Sequence, residues 1–161
     1  MIKRGSSTKD VNGHDYDLIV IGCGPAGQRA AVQAAKIRLR VAIIDSREVV
    51  GGVCVNTGTI PSKSFKEAVL FLSGYRQRSV YGAGYRVKSD ITMEDLTFRC
   101  NRIMQQEIDV IRAQLTRNHV EVIYGHAQFT DQNTVEITSQ EGVITRSAAK
   151  FVIATGAQPH R

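Results

Sequence analysis

No apolar run in this sequence approaches the ~20 residues a helix needs to cross a bilayer, so no membrane span is expected. The first fourteen residues are polar and lack the apolar centre of a secretory signal, which leaves a flexible leader as the expectation for 1–14. Cysteine is scarce: Cys23, Cys54 and Cys100 are an odd number without metal-ligand spacing. A disulfide scaffold and a metal site are thereby excluded, and a reducing, cytoplasmic setting is expected. Clustered basic charge is also missing. The net charge of +6 comes from 21 Lys and Arg interleaved with 15 acids, which argues against nucleic acid and suits anionic small molecules. What is present is ordinary: 161 residues, 42% hydrophobic, enough for one cored domain.

Residues 16–21 form a short β-branched run of the kind buried in a parallel sheet. Gly22-Cys23-Gly24-Pro25-Ala26-Gly27 follows, then an alanine-rich helical stretch over 26–37 and a second strand over 40–45 that closes on Asp45. Strand, G-x-G-x-x-G, helix, strand and an acid about 20 residues on make the dinucleotide fingerprint. Gly22 permits the tight turn, Gly24 lets the main chain approach a pyrophosphate, and Gly27 lets helix and strand pack closely. The helix start offers free N–H groups to the anion, and Asp45 can accept hydrogen bonds from ribose hydroxyls.

The run from Gly51 to Lys63, Gly-Gly-Val-Cys-Val-Asn-Thr-Gly-Thr-Ile-Pro-Ser-Lys, is the second signal. Two adjacent glycines let a flat ligand lie against the backbone, and Pro61 suits the first position of a helix over 62–72 with Phe65, Val69 and Leu72 apolar. These residues resemble the flavin-side motif of the FAD-dependent pyridine nucleotide-disulfide oxidoreductases, in which Gly-Gly-x-Cys is followed by four residues, a second Cys and Ile-Pro-Ser-Lys. In this sequence the second cysteine position holds Thr59. A threonine hydroxyl cannot form a redox disulfide, so dithiol chemistry is not available at this site. Cys at the first position and Thr at the second resemble the soluble, FAD-containing transhydrogenase branch of that family.

The resemblance implies an α/β, Rossmann-like FAD-binding domain with a parallel sheet, a long helix and an antiparallel β-meander. It implies FAD as cofactor, NADH and NADPH as substrates, and a homo-oligomer when full-length. The chain is expected to carry, over 15–161, the N-terminal part of the FAD-binding domain, without the nicotinamide-nucleotide and dimerisation domains. Cofactor contacts fall by resemblance on Gly22, Gly24, Pro25, Ala26, Gly27, Asp45, Ser46, Arg47, Gly51, Gly52, Val53, Cys54, Thr57, Lys63, His126, Ala127, Ala154, Thr155 and Gly156. Lys63 is the candidate catalytic residue, a cation that stabilises negative charge near the flavin; its bland alternative is an ion pair with Glu67 one turn on. Two other functional readings stand beside the transhydrogenase: a dihydrolipoamide dehydrogenase-like enzyme with an altered cysteine pair, and a non-catalytic FAD-binding module.

In the rest of the chain, 74–90 reads as an irregular connection whose Tyr75, Tyr81 and Tyr85 are packing anchors. Thr92-x-x-Asp95 resembles a capping box opening a long helix to about 118, with Leu96, Cys100, Ile103, Ile111 and Leu115 on one stripe. Residues 120–124, 134–138 and 143–145 read as an antiparallel meander. Between the first two, 125–129 resembles the family segment whose main chain meets adenine. A last buried strand over 150–159 ends in Ala154-Thr155-Gly156, which in the family sits against the flavin nucleotide.

Overall fold

The β-branched apolar runs at both ends of the chain form one six-stranded sheet in the computed structural model, which describes residues 13–157. Residues 1–12 of the expected leader, and Gln158 and Pro159 of the last expected strand, lie outside the described residues. The elements are β1 (Tyr16–Ile21), α1 (Pro25–Lys36), β2 (Val41–Asp45), α2 (Gly52–Asn56), α3 (Thr59–Leu72), a 3-10 turn (Tyr75–Gln77), α4 (Arg78–Tyr81) and α5 (Met93–Arg117), followed by β3 (Glu121–Tyr124), β4 (His126–Asp131), β5 (Thr134–Ser139) and β6 (Gly142–Ile153). Two units divide the chain: 1–52 with 111–161, and 53–110.

The first unit holds the sheet, in the order β3-β2-β1-β6-β5-β4. β1 lies between β2 and β6, parallel to both, and β3 runs parallel to β2. Ile19, Ala42, Ile44, Val135, Ile137 and Ala148 bury one face together. Val20 is on the other face, where α1 packs on β1 and β2 and brings Gly27 beside the Val20 side chain. Strands buried on both faces read as continuous apolar runs, which is why 16–21 and 41–45 show no alternation.

Three strand expectations need correction. Residues 121–124 do not join the antiparallel meander; they form a parallel edge strand, with Ala42 opposite Glu121 and Asp45 opposite Tyr124. Residues 126–131 are not a connecting segment but the strand β4, paired with β5. The two expected strands at 143–145 and 150–159 are one, β6: its first half pairs antiparallel with β5 and its second half parallel with β1. Local pattern cannot assign a strand its partner: β3 pairs with β2 and the second half of β6 with β1, both far back in the chain, whereas β4 pairs with the neighbouring β5. The switch within β6 is held from both sides. Asn133 donates its side-chain amide to the Ala148 carbonyl at 2.9 Å, and the Asp15 carboxylate accepts the Ser147 N–H at 2.9 Å and its hydroxyl at 3.0 Å.

From Gly52, the last residue of its stretch of the first unit, to Asn56 the chain forms a short helix rather than a continuous glycine loop, and α3, in the second unit, begins at Thr59, so Pro61 is the third helical residue. Proline is still tolerated there, because first-turn N–H groups have no intrahelical acceptor. The buried positions of α3 are Ser64 and Ala68, while Val69 is exposed and Phe65 and Leu72 only half-buried. Small residues, not the large ones, face inward. The 74–90 connection holds the 3-10 turn and α4. Tyr81 stacks on Tyr85 with ring centroids 5.1 Å apart, and the Arg78 guanidinium lies over Tyr75.

The long helix is as expected. Asp95 accepts the Thr92 N–H at 2.9 Å and returns its own N–H to the Thr92 hydroxyl at 3.3 Å, a reciprocal cap. Leu96, Cys100, Ile108, Ile111 and Leu115 are buried along α5, with Ile103 half-buried. Among the described residues no helix is long and apolar enough to cross a membrane.

Candidate functional site: the carboxyl end of the parallel strands

In an open parallel sheet the loops leaving the carboxyl ends of the strands carry the ligand site. Here those loops belong to β1, β2, β3 and β6, and all lie in the first unit. The turn after β1 is shaped by close approach. A methyl group on Gly22 would run into the Ala154 carbonyl, and one on Gly27 into the Gly22 carbonyl, so both positions require glycine. Gly22 also takes φ 109°, a region that side chains disfavour. Gly24 has open space where a side chain would stand, while a methyl group on Gly52 would run into the Gly24 Cα; α1 then starts at Pro25 with the Ala26 and Gly27 N–H groups in its first turn.

Hydrogen bonds fix this turn before any ligand arrives. The Cys23 N–H donates to Asp45 Oδ2 at 2.6 Å, while the Cys23 carbonyl accepts the Gly51 N–H at 3.0 Å and the Gln28 side-chain amide at 2.8 Å. Asp45 Oδ1 accepts the Arg47 N–H at 2.9 Å, and the Asp45 carbonyl accepts the Gly125 N–H at 2.9 Å. One acid therefore joins the turn after β1, the tail of β2 and the β3–β4 corner. Burial pushes the Cys23 thiol up to about 11, with the Asp45 carboxylate adding to it against the Gly51 N–H. At neutral pH this sulfur is an uncharged packing group.

Beside Asp45 a cleft of about 400 Å³ opens, within the roughly 300–1,000 Å³ range of small-molecule sites. Ser46 and His126, both expected cofactor residues, line it together with Glu48, Tyr124, Gly125, Thr138, Ser139 and Gln140. Gly125 belongs to the 125–129 segment expected at adenine, whereas Glu48, Tyr124, Thr138, Ser139 and Gln140 were not among the sequence-level candidates. Gly125, a glycine breaking two apolar runs, was a usable signal for a corner. Thr138, Ser139 and Gln140 gave none, because only the β5–β6 hairpin brings them to the cleft.

The first unit contains the expected residues Gly22, Gly24, Pro25, Ala26, Gly27, Asp45, Ser46, Arg47, Gly51, Gly52, His126, Ala127, Ala154, Thr155 and Gly156. Ala154 follows β6 and donates its N–H to the Ile21 carbonyl at 2.8 Å, which sets the 154–156 turn beside Gly22. Val53, Cys54, Thr57 and Lys63 belong to the second unit. There Cys54 is half-buried on α2, Thr57 is exposed after it, and Lys63 is exposed in the first turns of α3. The expected alternative partner of Lys63 is engaged elsewhere: both Glu67 oxygens are held by the Arg76 guanidinium, at 3.0 and 3.2 Å.

Residues 16–161 match the family model described as pyridine nucleotide-disulphide oxidoreductase. The chain belongs to this family. Among its relatives, the soluble pyridine nucleotide transhydrogenase of Mycobacterium tuberculosis (strain ATCC 25177 / H37Ra) is 48% identical over 149 residues, 91% of this chain and 32% of that protein. The soluble pyridine nucleotide transhydrogenase of Colwellia psychrerythraea is 37% identical over 148 residues, again 91% and 32%. The chain spans about a third of the length of the curated relatives it matches. A solved structure, the Cu(II) complex of the HOCl-induced flavoprotein disulfide reductase RclA from Escherichia coli, superposes with a TM-score of 0.74 at 26% identity, covering 91% of this chain and 30% of that one.

Proposed function

We propose that this chain is the FAD-binding portion of a flavoprotein that transfers hydride between NADPH and NAD+ without a redox disulfide. The observation that carries the reading is the pair Cys54 and Thr59, on α2 and at the start of α3: one sulfur where dithiol relatives have two. The relatives named as soluble transhydrogenases support it.

The residues present fit the cofactor. Gly24 and the first turn of α1 offer N–H donors and open space to a diphosphate, Asp45 offers carboxylate lone pairs to a ribose, and the Ser46–His126 cleft offers main chain to an adenine. FAD, when bound, would supply two-electron hydride chemistry. Arg47, Ala127 and the 154–156 turn are the remaining proposed contacts of the first unit. Val53, Cys54, Thr57 and Lys63 are those of the second, and Lys63 would favour electron uptake by its positive charge. Cys54 has no partner thiol at position 59 and is a packing residue in this reading.

The test is a protein extended to the length of the relatives. It is expected to be yellow and to exchange hydride between NADPH and an NAD+ analogue, with no lipoyl or glutathione-type disulfide reduction. Rapid reduction of such a disulfide would support the dithiol reading instead, and bound FAD with no exchange would support a non-catalytic module. The 161-residue chain alone is expected to show no turnover and weaker FAD binding than the extended protein.

A further inference from the structure

The Cys23 carbonyl is held twice, by the Gly51 N–H at 3.0 Å and by the Gln28 side-chain amide at 2.8 Å. In a trans peptide the carbonyl of one residue and the N–H of the next point in opposite directions. Fixing the Cys23 carbonyl therefore fixes where the Gly24 N–H points: away from Gln28 and Gly51. Among the described residues that N–H has no acceptor, and no atom lies within 4 Å of where a Gly24 Cβ would be. Gln28 is part of the same helix whose first turn offers the Ala26 and Gly27 N–H groups. Its own backbone N–H bonds the Gly24 carbonyl at 3.0 Å, so one residue grips the peptides on both sides of the Gly24 Cα.

We propose that Gln28 is a positioning residue for a dinucleotide diphosphate, holding the Cys23–Gly24 peptide so that the Gly24 N–H stands ready as an anion donor. The inference rests on the reading of this chain as an FAD-binding portion, and it adds a residue that neither the glycine fingerprint nor the acid at the end of β2 includes. Without the side-chain amide, the carbonyl keeps one donor, Gly51, and the peptide gains freedom to rotate. The adenosine side is expected to be unchanged, because Gln28 bonds neither Asp45 nor any residue lining the Ser46–His126 cleft, and Asp45 keeps the Arg47 N–H as well as that of Cys23.

Calorimetric titration of the 161-residue chain with FAD, ADP and adenosine tests this. Gln28→Met keeps length and volume but cannot donate; Gln28→Glu keeps shape and presents a carboxylate to the carbonyl. Thermal unfolding without ligand confirms that each variant is folded. FAD and ADP are expected to bind both variants about tenfold more weakly, the scale of a hydrogen bond to a charged group, with adenosine unchanged. Equal losses for all three ligands would mean a structural role only and overturn the inference. So would unaltered ADP and FAD affinity. Failure of the unsubstituted chain to bind FAD or ADP overturns both the inference and the cofactor reading, whereas a difference confined to the variants bears on Gln28 alone.

Discussion

Asp45 serves three loops, two through its carboxylate and the third, at Gly125, through its main-chain carbonyl, which a side-chain substitution leaves in place. Its carboxylate is the acceptor for the main-chain N–H of Cys23, a fully buried residue, and for that of Arg47. Leaving a buried donor without an acceptor costs about 1–3 kcal/mol. Asp45→Ala is expected to lower unfolding stability by that amount in a denaturant melt and to weaken FAD binding further. Asp45→Asn should also destabilise, since its amide sets a donor against one of two N–H groups. The cysteines give a second check at this scale. Cys23 and Cys100 are buried and Cys54 half-buried. Native alkylation at neutral pH is expected to modify Cys54 first and the other two only on unfolding; early loss of the Cys23 thiol would contradict its packing. Asp45 was legible in the sequence as the acid about 20 residues past the glycines. Its loop-holding role was not, because that role is a hydrogen bond across 22 positions to a main-chain group that has no sequence signature.

At the scale of elements, α5 begins with a titratable cap. The Lys88 ammonium, 2.6 Å from the carboxylate, and then the Thr92 N–H and hydroxyl hold the Asp95 carboxyl down at about 2. A folded-state value below the ordinary 3.8 means that the contribution is complete above that pH and is lost as pH falls toward 2. Far-UV circular dichroism from pH 5 to pH 2 is expected to show helix loss in that window, and Asp95→Asn should flatten it. The cap, β1, α1 and β2 were readable because each is written in adjacent residues: an apolar run, a Thr-x-x-Asp, a proline at a helix start. β3, β4 and β6 were misread for the opposite reason. Val-Glu-Val-Ile-Tyr fits either kind of pairing, and the continuity of β6 through Ser147 and Ala148 depends on Asp15 and Asn133. Likewise α3 buries Ser64 and Ala68, which no hydrophobic pattern would select.

For the molecule as a whole, the sheet cannot be completed early. β1 has β2 as one neighbour within 30 residues, but its other neighbour is β6, and the Asp15–Ser147 bond at the start of that pairing spans 132 positions. At the roughly 5–20 residues per second of synthesis, β1 waits on the order of ten seconds on the ribosome before its second edge can be covered. During that interval Leu18, Ile19 and Val20 belong to an open strand of high aggregation hazard. Nascent chains stalled with β6 still in the exit tunnel are expected to be cut readily by a protease within 16–45. Those stalled after β6 has emerged should resist. The strand that sets the 154–156 turn beside Gly22 is thus also a timer of biogenesis: the turn after β1 gains its second wall only when β6 arrives.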